Sequence, residues 1–199
     1  MCTYELCILH CIGTLLLVTT GEEGLQVHDD GTYTYSQGWS NTSLVIDMNS
    51  TNSCSDFPAY PGGKDSEARL AAGAVLDGSP LVCGGNGDGR SCYMHNKTSY
   101  NWEKLTDELS GWRYDFAMAM YNGVMWAVGG YAATTTTDYI YPNGSIVKGP
   151  NYELYWAPHD WTHGISYGQC MLSLPNGKMM FIGGHKGIFL VTLILSILP

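Results

Sequence analysis

The groups in this sequence that could do chemistry are seven cysteines, a glycine-rich loop, a short histidine cluster and several acidic turns. Cys83 and Cys92 flank Gly-Gly-Asn-Gly-Asp-Gly-Arg-Ser, a turn between two strand-like segments, and a disulfide across that hairpin is expected. In the chain-entropy picture a loop this small stabilises by about 2–3 kcal/mol. Cys54 and Cys170 then pair only by elimination. No Cys-x-x-Cys is present, so no redox role is expected.

The other candidates are weaker. Gly84-Gly85-Asn86-Gly87-Asp88-Gly89 suggests a nucleotide loop, but such a loop must open a helix, and Cys92-Tyr93 restarts a strand. His159 and His163 would face together only on a helix, and Pro158 and Gly164 bracket them. With Asp160 they read as a surface loop and not a metal site. Asp29-Asp30-Gly31 and Asn86-Gly87-Asp88-Gly89 lack the full calcium-loop spacing and read as turns. Four sequons, at Asn41, Asn49, Asn96 and Asn143, are candidate glycosylation sites.

The elements that must position these groups are short strands. Gly is frequent (25), Tyr numbers 14 and Trp 6, a mix suited to strands and tight turns. The net charge is −9 and the nine basic residues are scattered, which argues against nucleic acid as a partner. One phrase recurs three times: a strand, a turn, a strand and a double glycine. The turns are Asp77-Gly78, Asn122-Gly123 and Asn176-Gly177, strong hairpin signals because both positions tolerate positive φ. The glycine pairs lie 45 and then 54 residues apart, a period of about 50 residues. Further strands follow at Ser91–Met94, Tyr100–Leu105 and Asp138–Tyr141, so each unit reads as a four-stranded antiparallel blade.

These residues resemble kelch-repeat β-propellers. The likeness rests on Gly84/Gly85, Gly129/Gly130 and Gly183/Gly184, on Tyr93 and Trp102, and on Arg69 and Arg113 where repeats open. It covers about residues 44 to 185. Pro80 to Gly85 followed by Cys92-Tyr93 is similar to extracellular kelch-like proteins of invertebrates. The resemblance implies an all-β, partial propeller of about three blades. It implies structural roles for these residues and no activity: the double glycine ends the second strand where backbones approach closely, and the tryptophan packs between blades. Some kelch-like propellers are copper radical oxidases of the galactose-oxidase type, but their Tyr, Cys and His motif is not recognisable here.

The expected organisation is a signal peptide over 1–20, a partial first blade over 21–65, blades over 66–186 and an apolar tail over 187–199. A rival reading makes Leu15–Gly21 a blade strand. The tail is too short to span a bilayer, which needs about 20 residues, and it breaks the repeat as a truncated gene end would. A membrane-associating tail is the alternative. Loss of a leader would remove Cys2, Cys7 and Cys11 and leave an even four cysteines, as an exported disulfide protein requires.

The expected function is therefore a secreted module that binds an unknown protein or glycan. Trp39, Trp156 and Trp161 are candidate anchors in loops. Catalysis, cofactor, metal and membrane span are not expected, and open blade edges invite self-association. The alternatives are an oxidase fragment or a non-functional truncated propeller.

Overall fold

The computed structural model describes residues 9–12, 15–27, 33–47, 53–54, 57–61, 70–131, 136–151, 169–174, 178–183 and 190–191. All secondary structure there is antiparallel strand, apart from isolated turns. The first sheet contains β1 (Leu9–Ile12), β2 (Leu15–Val27), β3 (Tyr33–Asp47) and β4 (Ser53–Cys54). The second contains β5 (Ala72–Leu76), β6 (Ser79–Cys83), β7 (Cys92–Asn96) and β8 (Asn101–Lys104). The third contains β9 (Ala117–Tyr121), β10 (Val124–Val128), β11 (Thr137–Ile140) and β12 (Ile146–Lys148). The fourth contains β13 (Gln169–Leu174), β14 (Lys178–Gly183) and β15 (Leu190–Val191).

Within every sheet the strands lie in chain order. The first strands neighbour one another from sheet to sheet, β1 beside β5, β5 beside β9 and β9 beside β13. That is the arrangement of blades set side by side.

Several details differ from the sequence expectation. The first sheet carries four strands and begins at Leu9, ahead of the boundary at residue 21. Its β2 and β3 are long and carry two register shifts. Residues 190–191, within the apolar tail, form β15 against β14, with Phe181 opposite Val191. No helix among the described residues is long and apolar enough to cross a membrane.

The hairpins follow from their turn residues. Asp77 and Gly78 have φ of 49° and 69°, and Asn122 and Gly123 have 50° and 78°. Both central residues at positive φ match the right-handed strand twist. Strand alternation then gives the second and third sheets two packed faces each. Ala72, Leu76, Leu81, Cys83 and Cys92 of the second sheet meet Met118, Met125, Ala127 and Ile140 of the third. The opposite face of the third sheet places Ala117, Ala119, Trp126 and Val128 against Met171 and Met179 of the fourth. The opposite face of the second sheet places Ala71, Val82, Tyr93 and Trp102 around Tyr60. Trp102 also donates from Nε1 to the Pro58 carbonyl at 2.9 Å, so the residue expected between blades packs on the segment that precedes its own sheet.

The glycine pairs correct one expectation and meet another. Gly84 and Gly85 are not the end of β6, which stops at Cys83, and Gly129 and Gly130 are not the end of β10, which stops at Val128. The cause is backbone conformation: Gly129 and Gly130 have φ of 71° and 104°, outside the strand region, so the pleat cannot continue through them. The close approach is present. A Cβ on Gly84 would lie 2.5 Å from the Arg113 carbonyl oxygen, and one on Gly130 would lie 2.9 Å from Phe116 Cβ and 3.1 Å from the Tyr114 carbonyl oxygen. Gly85 N–H donates to the Arg113 carbonyl at 2.9 Å.

Arg113 is fully buried and forms an ion pair with buried Asp138 at 2.7 Å. Its Nη1 donates to the carbonyls of Gly129 (2.6 Å) and Thr136 (3.0 Å), and Nη2 also reaches Thr136 Oγ1 at 2.8 Å. The Ser110 N–H donates to both Asp138 carboxylate oxygens at 3.2 Å. The matched donors and acceptors offset the desolvation of the buried pair, and removing one partner would leave an uncompensated buried charge, which is strongly destabilising.

Asp138→Ala should therefore cost about 3–5 kcal/mol of unfolding free energy, read by urea denaturation, because Arg113 is left buried without its counter-ion. The double variant Arg113→Met, Asp138→Leu should be more stable than Asp138→Ala.

Candidate binding surface

The β6–β7 loop, residues 84–91, is closed at its base by the Cys83–Cys92 disulfide, whose residues sit opposite each other in the ladder. Gly84 N–H donates to the Ser91 carbonyl at 2.9 Å and closes it further. The loop then acts as a template for the connector between β8 and β9. Leu109 N–H donates to the Arg90 carbonyl, and Arg90 Nε returns a bond to the Leu109 carbonyl at 3.0 Å. Arg113 N–H donates to the Gly89 carbonyl at 2.8 Å.

This zipping places Trp112. Its Nε1 donates to the Gly85 carbonyl at 3.2 Å, and its ring lies over Gly89. A Cβ on Gly89 would fall 1.2 Å from Trp112 Cδ1, so only glycine leaves room. Trp112 nonetheless remains 47% exposed. Tyr131, the residue after Gly130, is 55% exposed and stacks on Tyr114 at 4.8 Å and 21°. Tyr114 meets Trp112 edge-on at 6.5 Å. Tyr131 N–H donates to the Tyr114 carbonyl at 3.0 Å. Three aromatic side chains thus form a row at the glycine-pair end of the sheets, tied down by backbone and ring nitrogen bonds. Around this end, Lys104 pairs with Asp88 and Arg90 with Glu108, both at 3.5 Å and exposed. Such pairs contribute little to stability.

A second aromatic cluster lies away from that row. His95 is buried, with Phe57 at 4.5 Å, Tyr100 at 5.2 Å and Trp102 at 5.8 Å between ring centroids. Its Nε2 has no hydrogen-bond partner. Burial, with the nearby Lys97 ammonium, holds its pKa below the ordinary histidine value. Burial likewise pushes the Tyr60 phenol well above its usual range, helped by Tyr93 and Asp88.

The residues expected from sequence are distributed as follows. The Cys83–Cys92 bond is formed. The Cys54–Cys170 bond is not: Cys170 is exposed with a free thiol. Cys54 lies on the last strand of the first sheet and Cys170 on the first strand of the fourth, with two sheets between them in chain order. Tyr93, Trp102 and Arg113 occupy the interiors described above. Gly84, Gly85, Gly129 and Gly130 lie just past their strands, whereas Gly183 is the last residue of β14. Arg69, Gly184, Asn49, Asp29, Asp30, His159, Asp160, His163, Trp156 and Trp161 lie outside the described residues. Asn41 and Trp39 fall within β3. Asn96 ends β7, and Asn143 is exposed in the turn before β12. Among the described residues no group of three or more His, Cys, Asp or Glu could hold a metal ion. Trp112, Tyr114 and Tyr131 were not singled out as anchors from the sequence. Their available signal was position, since they flank Arg113 and the second glycine pair.

No protein-family model and no curated protein matches the chain. Its fold is similar to the solved structure of YjhT, a β-propeller-like fold, with a TM-score of 0.61 and 12% identity. The likeness covers 88% of this chain and 58% of that one, so this chain spans little more than half of YjhT. The side-by-side antiparallel sheets and this likeness make the chain an all-β protein of propeller type.

Two outcomes test the geometry. Gly89→Ala should expel the Trp112 ring from its seat. The Trp112 indole N–H resonance, assigned through Trp112→Phe, should then lose its hydrogen-bonded shift. The second concerns His95, which the unfolded chain protonates more readily than the folded one. The histidine therefore adds stability that is full above about pH 6.5 and is lost as the pH falls below it. Denaturation at stepped pH should show wild type losing more stability on acidification than His95→Leu.

Proposed function

We propose that the chain is a secreted kelch-type propeller module that binds a protein or glycan partner through the Trp112–Tyr114–Tyr131 row, without catalysis. The row itself is the observation that carries this reading. Large rigid aromatics present contact area at low entropic cost, and Trp and Tyr dominate binding hot spots. Here Trp112 and Tyr131 are exposed and Tyr114 is half-buried, and backbone and ring-nitrogen bonds anchor them, so little ordering remains to be done on binding. A fold of this type argues for no particular function by itself, and the site must do so. Export is supported by the disulfide, which suits an oxidising compartment, and by the exposed sequon at Asn143. The kelch assignment is supported by the structural roles of the glycine pairs, Arg113 and Trp102.

The test is a screen of the folded protein against a displayed peptide library and a glycan array. A ligand bound by wild type should lose about 2 kcal/mol or more, roughly 30-fold in Kd, with Trp112→Ala or Tyr131→Ala. Equal binding by the double variant, with unchanged circular dichroism, would place the contact elsewhere and end this reading.

A further inference from the structure

Two sequons occupy equivalent places in successive sheets. Asn96-Lys97-Thr98 opens the turn between β7 and β8, and Asn143-Gly144-Ser145 lies in the turn between β11 and β12. These are the turns joining the third and fourth strands, at the outer rim. They are 47 residues apart, and in the sequence Asn49-Ser50-Thr51 precedes Asn96 by the same 47. Asn49 lies outside the described residues and contributes only this spacing. Asn41 is out of phase with all three.

Both turns sit at the far end of their sheets from the glycine pairs. β7 leaves Cys92, next to the glycine loop, and reaches its turn after Asn96; there Lys97 Nζ donates to the Asp77 carbonyl of the opposite hairpin at 3.4 Å. β11 leaves Thr137, opposite Val128 and next to Gly129, and reaches its turn after Ile140. Each asparagine also shapes its own turn. Asn96 Oδ1 accepts from the N–H groups of Thr98 (2.8 Å) and Ser99 (3.2 Å), and Asn143 Oδ1 accepts from the N–H (3.1 Å) and Oγ (2.8 Å) of Ser145. These bonds use Oδ1 and leave the modifiable atom, Nδ2, outside them. Asn96 Nδ2 donates to Glu103 Oε1 at 2.8 Å on the exposed surface.

We infer that Asn96 and Asn143 are N-glycosylated in phase with the repeat, lining the outer rim with glycans and leaving the aromatic end uncovered. This rests on the proposed export of the chain. Transfer from a lipid-linked oligosaccharide pyrophosphate forms the bond between Nδ2 and the anomeric carbon. It breaks the bond from that carbon to the pyrophosphate oxygen; one Nδ2 proton is lost and the lipid pyrophosphate leaves. The second Nδ2 hydrogen stays, so Asn96 keeps a donor for Glu103. Each turn keeps its Oδ1 bonds, so folding and modification do not compete. Segregation by end of the sheet gives the proposed binding face a fixed orientation relative to the glycans.

The test expresses the full chain in a cell with a secretory pathway and removes glycans with peptide N-glycosidase in heavy-oxygen water. Mass spectrometry should find Asn converted to labelled Asp at both 96 and 143. Thr98→Ala and Ser145→Ala should each remove one glycan from the secreted protein. Thr98→Ala keeps the backbone N–H that Asn96 accepts, so loss of a glycan there is not loss of the turn. Oxidative footprinting should label Tyr100 more strongly once glycans are removed, and Trp112 and Tyr131 equally before and after. Secreted, disulfide-bonded protein with either asparagine unconverted would overturn this inference and leave export standing. Retention in the cytosol with Cys83 and Cys92 as free thiols would overturn export itself, and this inference with it.

Discussion

Arg113 is the point on which the described structure turns. Its side chain is buried in the third sheet and binds Asp138, Thr136 and the Gly129 carbonyl. Its backbone belongs to the second sheet's loop, donating to Gly89 and accepting from Gly85. One residue therefore joins two neighbouring sheets at the end where their glycine pairs lie. A guanidinium suits this place because it carries five donors in a fixed fork and remains charged. Lysine would offer a point charge and could not reach carboxylate, hydroxyl and two carbonyls together. The absence of a Cβ at Gly84 complements it, since any larger residue would push the Arg113 carbonyl away.

The second and third sheets are thin layers with apolar side chains on both faces, and neither face is buried by its own sheet alone. Leu76, Leu81 and Met125 become inaccessible only when the second and third sheets meet. Trp126 and Val128 need the fourth sheet in the same way. Stability in such an array is shared between nearest neighbours, as in other repeat proteins. The connector carrying Trp112 benefits because it is tied to both sheets at once, which holds the exposed ring still.

Much of this was legible in the residues. Asp77-Gly78 and Asn122-Gly123 announce two-residue hairpins because their conformation is local. The Cys83–Cys92 hairpin was readable for the same reason, since cause and effect lie within a dozen residues, whereas the glycine pairs were readable from their repetition, their close contacts with Arg113 and Phe116 being distant in the chain. The four-strand units followed from their repetition. What was not legible depends on distant partners or on exact backbone angles. Gly130 marks its repeat correctly, yet spacing alone does not reveal that its backbone has already left the strand. Asp138 lies 25 residues beyond Arg113, and no periodicity links them. The Trp112 seat requires a connector to dock on Gly89, and a glycine in a loop looks the same whether or not a ring rests on it. Pairing Cys54 with Cys170 by counting failed because counting ignores which strands lie between them. The apolar segment holding β15 broke the glycine pattern, so its strand could not be seen from the repeat.

The cystine has a consequence for the order of assembly. Both of its residues are fully buried in the layer between the second and third sheets. An oxidant can reach those sulfur atoms only while the two sheets stand apart. The hairpin emerges from the ribosome before the third sheet, so it is free to cross-link as a solitary β-ribbon. Once its neighbour has docked, reagents of either kind are shut out. The linkage is then sealed by the very contact it helped to prepare.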